Sequence, residues 1–281
     1  MNPTVAIVAQ GAMGAGIGAR LTQRGLRVVT SLAGRSAASV KRAADAGMIA
    51  VSDQETARAD YFLSIVPPGD ALSLAEKMAA LIAPNNKKPI YVDCNAVSPP
   101  TKLRIGNTVT KAGAPFVDVA ILGLPPKPGG DAPAMIASGP DTGPFVSLGE
   151  FGLKIRTIDG PVGAASALKM SYAGITKGFT ALTSMMLLAA MRGGIEKELR
   201  KELERSHPAF VASFTRAIPD MFGKAYRFVA EMEEIANFVG DDEAARQMYL
   251  AFADFYARMA ADVSGAKEES GALAKFLEGK S

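Results

Sequence analysis

Short apolar runs and helical segments alternate along the first 160 residues of the chain. Apolar and β-branched runs predict strands, and apolar residues three and four positions apart predict the helices between them. The predicted strands are 4–9, 27–31, 61–66, 89–93, 115–121, 133–139 and 153–158, and the predicted helices are 13–24, 36–46, 69–82 and 98–111. Because parallel strands need crossover helices, the pattern predicts a doubly wound, mainly parallel α/β domain over residues 1–160.

From residue 161 to the end the pattern is helical and predicts no strand. The stretch 163–194 predicts one unusually long helix that ends at Gly193 and Gly194. Lys169 and Lys177 interrupt its apolar character, so we do not expect a membrane span. Further helices are predicted over 219–240 and 241–263. The second domain is therefore predicted to be all α, over residues 161–281.

Composition narrows the possible partners. With 281 residues, of which 48% are hydrophobic, the chain has enough apolar material for a large core. Its 31 basic residues are scattered among 28 acidic ones, so no cationic stripe suggests nucleic acid as a partner. Cys94 is the single cysteine, which excludes an internal disulfide. The first residues do not resemble a secretory signal, and we expect a cytoplasmic protein.

The remaining candidates for metal or nucleophilic chemistry are few. His207 is the only histidine, so a histidine-rich metal site and a serine–histidine relay both lack parts, and we expect no metal. Cys94 is expected to be buried beside the sheet. Glu231, Glu233 and Glu234 are expected on a solvated helix face or in salt bridges, with a position in the substrate cleft as the alternative.

A glycine-rich turn separates the first predicted strand from the first predicted helix. In "VAIVAQGAMGAGIGARL", residues 5–21, Ala9 stands where the dinucleotide-binding fingerprint has its first glycine. The other two glycines are present as Gly11 and Gly14, and the helix follows directly. The context predicts that backbone from Gly11 through Ala12 and Met13 to Gly14 faces a dinucleotide pyrophosphate. The alternative, a tight connection with no ligand, stays open at this point.

The end of the second strand indicates which dinucleotide is bound. An NAD site normally has an acidic residue there for the ribose hydroxyls. "VVTSLAGRSAAS" has no acid before Asp45, and Thr30, Ser31, Arg35 and Ser36 are placed to hold a 2′-phosphate. The sequence therefore favours NADP.

Four motifs carry a resemblance to a known family. They are "GAMG" at 11–14, "SIVPPGDA" at 64–71, "DCNAVSPPT" at 93–101 and "GPVGAASALKMSYAG" at 160–174. With them the chain resembles the β-hydroxyacid dehydrogenase family, relatives of 3-hydroxyisobutyrate and 6-phosphogluconate dehydrogenases. The stretch "KAYRFVAEMEEIA" resembles a less characterised branch of that family. The resemblance covers essentially the whole chain.

The resemblance implies a Rossmann domain, a long interdomain helix and an α-helical domain that makes a homodimer. It implies cofactor contacts at Val66, Pro67 and Asn95, and it places the catalytic lysine at Lys169. Burial lowers lysine pKa values toward neutrality, where an amine exchanges protons with an alcohol. Tyr172, three residues later, is a second catalytic candidate.

The chain departs from the family pattern where the family holds its substrate. Asn95 and Ala96 replace the serine and threonine of "DxST", and Ala173 replaces an asparagine one turn after the lysine. Leu122, Gly123 and Leu124 replace "SGG", and Lys224 is followed by alanine in place of the aspartate of a "KD" pair. The predicted substrate-binding residues are Asn95, Ala96, Leu122, Gly123, Ala173 and Lys224. Because polar anchors are lost, we expect a substrate bulkier or less anionic than a simple 3-hydroxy acid.

These observations predict an NADP-dependent oxidoreductase acting on a small-molecule alcohol/carbonyl pair. One alternative is an imine reductase-like enzyme, although the retained lysine argues against it. Another is a non-catalytic protein that senses NADP.

Overall fold

In the computed structural model, which describes residues 2–126 and 130–278, eight strands form one sheet. The strands are β1 (Thr4–Val8), β2 (Arg27–Ser31), β3 (Ile49–Val51), β4 (Tyr61–Ser64), β5 (Ile90–Asp93), β6 (Phe116–Leu122), β7 (Ala134–Ser138) and β8 (Lys154–Thr157). Their order is β3-β2-β1-β4-β5-β6-β7-β8. Every neighbouring pair is parallel except β6 and β7. The order reverses between β1 and β4, which is where doubly wound sheets bind ligands.

Helices shield both faces of this sheet. They are α1 (Ala12–Gln23), α2 (Ala37–Asp45), α3 (Asp53–Thr56), α4 (Ala71–Ile82), α5 (Pro99–Lys111) and α6 (Thr142–Val146). Successive strand residues enter opposite cores, so Ile7 and Leu63 lie in one cluster while Ala6 and Phe62 lie in the other. Because both faces are buried, the central strands have the continuous apolar sequences that identify parallel strands.

The element β3 and the helix α3 are absent from the predicted elements. β3 has only three residues, and Ile49 and Ala50 are exposed, so it has no buried apolar run. It pairs with β2 in parallel, with Ser31 opposite Val51. This pairing places the start of α3 beside the carboxyl end of β2.

The chain divides into two compact units, Met1–Met170 and Ser171–Ser281. Its remaining helices are α7 (Ala164–Arg192), α8 (Glu196–Ser206), α9 (Pro208–Phe222), α10 (Ala225–Phe238), α11 (Glu243–Ser264) and α12 (Glu268–Leu277). The predicted order of a doubly wound α/β part followed by an all-α part is confirmed. The prediction of one helix over 219–240 is wrong, because Pro219 belongs to α9 and α10 begins only at Ala225.

The second unit has its own core between α10 and α11. Phe228 and Tyr256 meet edge to face with ring centres 5.2 Å apart, and Met232 and Met259 are fully buried. The apolar residues of α10 that face this core, including Phe228, Met232 and Ile235, recur at the three- and four-residue spacing of an amphipathic helix.

Within the described residues, α7 is the one helix long and apolar enough to cross a membrane by length and composition. In its most apolar window 44% of the residues are buried inside the protein. Two lysines, Lys169 and Lys177, lie within α7.

Candidate active site

The glycine turn joins β1 to the N-terminus of α1. Gly11 is the N-cap of α1, and no side chain caps that helix. A Cβ atom on Gly14 would overlap the carbonyl oxygen of Ala9, so only glycine lets α1 lie this close to β1. A Cβ atom on Gly11 would meet no atom within 4 Å. In a Rossmann domain, a dinucleotide pyrophosphate lies in front of such an N-terminus, where the amides of Ala12 and Met13 would face it.

A buried amide side chain ties the turn to the second strand. Gln10 is fully buried, and its Nε2 donates to the Thr30 hydroxyl and to the carbonyl oxygen of Ser31 at 3.3 Å. The Thr30 hydroxyl in turn donates to the carbonyl oxygen of Ile7 at 2.6 Å. Thr30 therefore holds β2 to β1 inside the sheet and does not point to solvent as a phosphate ligand would. The Oε1 of Gln10 is buried without a hydrogen-bond partner in the described part of the chain.

The other predicted phosphate-binding residues follow β2 at its carboxyl end. Ser31 is buried, whereas Arg35 and Ser36 are exposed. Ser36 is the N-cap of α2, and its hydroxyl accepts a hydrogen bond from the Ser39 amide at 3.3 Å. The structure thus brings these three residues to the region where a 2′-phosphate would lie in a Rossmann domain.

An acidic residue that the sequence analysis missed lies beside Ser31. Asp53, the first residue of α3, forms an ion pair with Lys77 on α4 at 2.7 Å. Hydrogen bonds from Lys77 and Ser31 hold the pKa of the Asp53 carboxyl below its usual value. The segment that follows β3, the strand next to β2, therefore supplies a carboxylate near the end of β2.

Asn95 joins the carboxyl ends of β4 and β5. Its Oδ1 accepts a hydrogen bond from the Val66 amide at 2.7 Å. Its Nδ2 donates to the hydroxyl of Ser64 and to the carboxylate of Asp93, both at 2.8 Å. Asn95 is buried and Pro67 is exposed, so Asn95 positions the Val66–Pro67 segment from beneath.

Lys169 lies near the start of α7, beside the end of β6. Its Nζ donates a hydrogen bond to the carbonyl oxygen of Ile121 at 2.8 Å. Leu122, half-buried, and Gly123, exposed, follow directly, and Ala96 is half-buried after β5. Since β5 and β6 are parallel, the structure gathers the predicted catalytic lysine and three predicted substrate-binding residues at one end of the sheet.

Asp118 on β6 anchors the N-terminus of α7. Its carboxylate accepts hydrogen bonds from the amides of Gly163 at 2.9 Å and Ser166 at 3.1 Å, and from the Ser166 hydroxyl at 2.9 Å. The hydroxyl of Ser138 adds a fourth bond at 3.1 Å. A carboxylate at a helix N-terminus is stabilised by the helix dipole. These bonds fix the first turn of the helix that carries Lys169.

A fully buried lysine completes this polar cluster. Lys102 on α5 forms ion pairs with Asp93 and, at 3.5 Å, with Asp118. Burial opposes its positive charge, but the two carboxylates outweigh burial and raise the pKa of the Lys102 ammonium, which stays protonated. The sequence analysis missed Lys102. A signal was present, because Lys102 shares the buried face of α5 with Ile105 and Val109.

Cys94 is buried, as predicted. Burial raises the pKa of its thiol far above the usual value, so the thiol stays protonated at neutral pH. Among the described residues, no three His, Cys, Asp or Glu side chains are grouped to hold a metal ion.

Three predicted site residues lie in the second unit. Tyr172 is 54% exposed and Ala173 is buried. Lys224, at the start of α10, forms an ion pair with Asp220 at 2.5 Å. Asp220 lies four residues before Lys224, on the preceding helix, and balances its charge.

A second lysine of α7 is held within this unit. Lys177 forms an ion pair with Glu231, and its Nζ lies 4.3 Å from the ring centre of Phe228. Burial lowers the pKa of the Lys177 ammonium, although the ion pair with Glu231 acts in the opposite direction. The expectation of a salt-bridge role is confirmed for Glu231.

Comparisons with known proteins match this architecture. Residues 4–141 match the NAD-binding domain of 6-phosphogluconate dehydrogenase, and residues 190–259 match a domain of unknown function, DUF1932. An uncharacterized 28.5 kDa protein of Methanothermus fervidus is 31% identical over 217 residues, which span 76% of this chain and 82% of that protein. A conserved protein of unknown function, whose solved structure is described as similar to 3-hydroxyacid dehydrogenases, is 30% identical with a TM-score of 0.72, over 93% of this chain and 98% of that one. The chain belongs to the β-hydroxyacid dehydrogenase family.

More distant structures share the fold. A 3-hydroxyisobutyrate dehydrogenase of Mycobacterium tuberculosis, solved with L-serine, is 18% identical with a TM-score of 0.70, over 93% of this chain and 95% of that one. An imine reductase of Myxococcus stipitatus, solved with NADP+, is 17% identical with a TM-score of 0.55, over 98% of this chain and all of that one (100%). The predicted family and fold are confirmed, and membership of this family supports a nicotinamide-dependent oxidoreductase.

Proposed function

We propose that this family member is an NADP-dependent oxidoreductase that interconverts an alcohol and a carbonyl compound, with Lys169 as general acid or base. The observation that carries the proposal is the position of Lys169, whose Nζ is held 2.8 Å from the Ile121 carbonyl oxygen. Because β1 and β6 run in the same direction, this lysine and the glycine turn lie at the same end of the sheet.

The chemistry divides between cofactor and protein. A bound nicotinamide accepts or supplies the hydride. Lys169 takes the hydroxyl proton when the alcohol is oxidised and returns it to the oxygen when the carbonyl is reduced. The hydrogen bond to Ile121 and the anchoring of α7 by Asp118 fix where the lysine nitrogen lies, which limits the geometry of that proton transfer.

The substrate we propose is bulkier or less anionic than a simple 3-hydroxy acid. Leu122 and Leu124 bring apolar surface to the end of β6, where the family has serine and glycine, and Leu124 is 70% exposed. Ala96 likewise offers no hydroxyl. Apolar surface at this position would favour burial of a larger carbon skeleton and would offer a small carboxylate no hydrogen-bond partner.

A titration tests the cofactor assignment. We expect NADPH to bind more tightly than NADH, and Arg35→Ala to weaken NADPH at least about tenfold by removing a phosphate partner. Cofactor fluorescence measures both affinities. Arg27→Ala is the matched control, because Arg27 is an exposed arginine at the opposite end of β2. An equal loss of NADPH affinity in the two variants would contradict a phosphate site at Arg35.

A second variant tests the catalytic role. We expect Lys169→Met to lower kcat/KM by about 10²- to 10⁴-fold while the NADPH affinity changes less than about threefold. A panel of ketones, hydroxy acids and cyclic imines serves as substrates, with the exposed Lys111→Met as control. Turnover of imines alone would favour an imine reductase. Tight NADPH binding with no turnover of any compound would favour a sensor.

A further inference from the structure

The carboxylate of Asp53 lies near the end of β2, where β2 itself is followed by no acidic residue. Ser31 closes β2, it pairs with Val51, and Asp53 follows two residues later. The Ser31 side chain contributes to lowering the pKa of the Asp53 carboxyl, so the two side chains lie close together. In an NAD site this is where an acidic side chain accepts hydrogen bonds from the adenosine ribose.

Asp53 is paired with a cation whose side chain is largely exposed. Lys77 contacts Asp53 at 2.7 Å, yet its side chain is 55% exposed, whereas that of Asp53 is 24% exposed. Arg35 also lies close enough to lower the pKa of Asp53 through its charge. One carboxylate and two cations thus lie near the end of β2, where the adenosine ribose of a dinucleotide is expected.

The geometry points to Asp53 and Lys77 as a pair that sets the preference between the two cofactors. This inference rests on the proposed function. With NADH bound, Asp53 would accept a hydrogen bond from the ribose 2′-hydroxyl and keep its ion pair with Lys77. With NADPH, Lys77 and Arg35 bind the 2′-phosphate, and the repulsion between that phosphate and Asp53 limits the preference.

Two substitutions change the preference in opposite directions. Asp53→Asn removes the repulsion and the charged acceptor, so NADPH binds more tightly and NADH more weakly. We expect the ratio of the NADPH and NADH dissociation constants to fall at least about tenfold. Lys77→Met removes a phosphate partner and leaves the negative charge of Asp53 without its ion-pair partner. NADPH therefore binds more weakly, and the same ratio rises. Cofactor fluorescence titration measures both affinities of the unsubstituted protein and of each variant, and the thermal midpoint confirms that each variant is folded.

Asp60 offers a matched control. Its carboxylate is likewise ion-paired, to Lys87, but it lies before β4 at the opposite end of the strands, where it also accepts the Thr4 amide. Asp60→Asn should leave the ratio unchanged. An unchanged ratio in both Asp53→Asn and Lys77→Met, with tight binding retained, would overturn the inference alone. No binding of either dinucleotide by the unsubstituted protein would overturn the proposed function and the inference with it.

Discussion

Gly14 is the residue of the glycine turn that admits no side chain. A methyl group there would overlap the carbonyl oxygen of Ala9, so α1 must move away from β1. We predict that Gly14→Ala lowers the free energy of unfolding by about 1–3 kcal/mol, the usual cost of overpacking, and weakens NADPH binding. Urea denaturation and fluorescence titration measure the two effects. Gly11→Ala, which meets no neighbouring atom, should cost less stability, and an equal cost would contradict the steric explanation.

Lys102 is the cation that balances two buried carboxylates. Lys102→Met should lower the free energy of unfolding by about 3–5 kcal/mol, because it leaves Asp93 and Asp118 buried without a positive charge. In the variant, the folded pKa of Asp93 exceeds its unfolded value, so the folded state binds more protons. The free energy of unfolding that the substitution removes should therefore become smaller as pH falls from 8 to 5. Denaturation across that range measures it, and a loss independent of pH would contradict the prediction.

At the scale of the element, the end of β6 is where specificity is expected to reside. Leu122→Ser combined with Leu124→Gly restores the residues that the family has at these positions. We predict that the double variant raises kcat/KM for a small 3-hydroxy acid at least about tenfold over the unsubstituted protein, since polar groups regain a partner. Leu103→Ser, at an exposed leucine of α5, is the control. A parallel rise in that control, or none in the double variant, would refute the assignment.

The elements that sequence predicts well are those whose own residues specify them. β1 and α1 follow from an apolar run and a glycine turn within residues 4–23. Asp53 could not be found in this way, because it reaches Ser31 only through the pairing of β3 with β2. The roles of Lys102 and Asp118 likewise depend on contacts between residues on different elements. Local periodicity predicts helices and strands. The register in which the strands pair decides which charged side chains come into contact.

At the scale of the whole molecule, α7 carries an exposed apolar stripe. Tyr172, Ile175, Leu182 and Met186 are 54%, 71%, 50% and 58% exposed. At 3.6 residues per turn they fall within an arc of about 80° on one face of the helix. Such a stripe fits the homodimer that the family resemblance implies, with a second copy of the chain as the partner.

We predict that the protein sediments as a dimer at micromolar concentration, and that Ile175→Asp combined with Leu182→Asp yields a folded monomer. Charges placed in a buried interface without partners cost several kcal/mol of association free energy. Val40→Asp combined with Ile49→Asp, at exposed apolar residues of the first unit, is the control and should remain dimeric. A dimer that survives the α7 double substitution would place the interface elsewhere.

Cys94, the single cysteine, is buried and can report local opening of the protein. Because the Cys94 thiol is protonated and shielded, it reacts with a thiol reagent only when the end of β5 opens. The rate of labelling therefore reads the opening free energy of the segment that carries Asn95. A slower rate when a dinucleotide is added reports that the ligand stabilises this segment against opening, without a second probe.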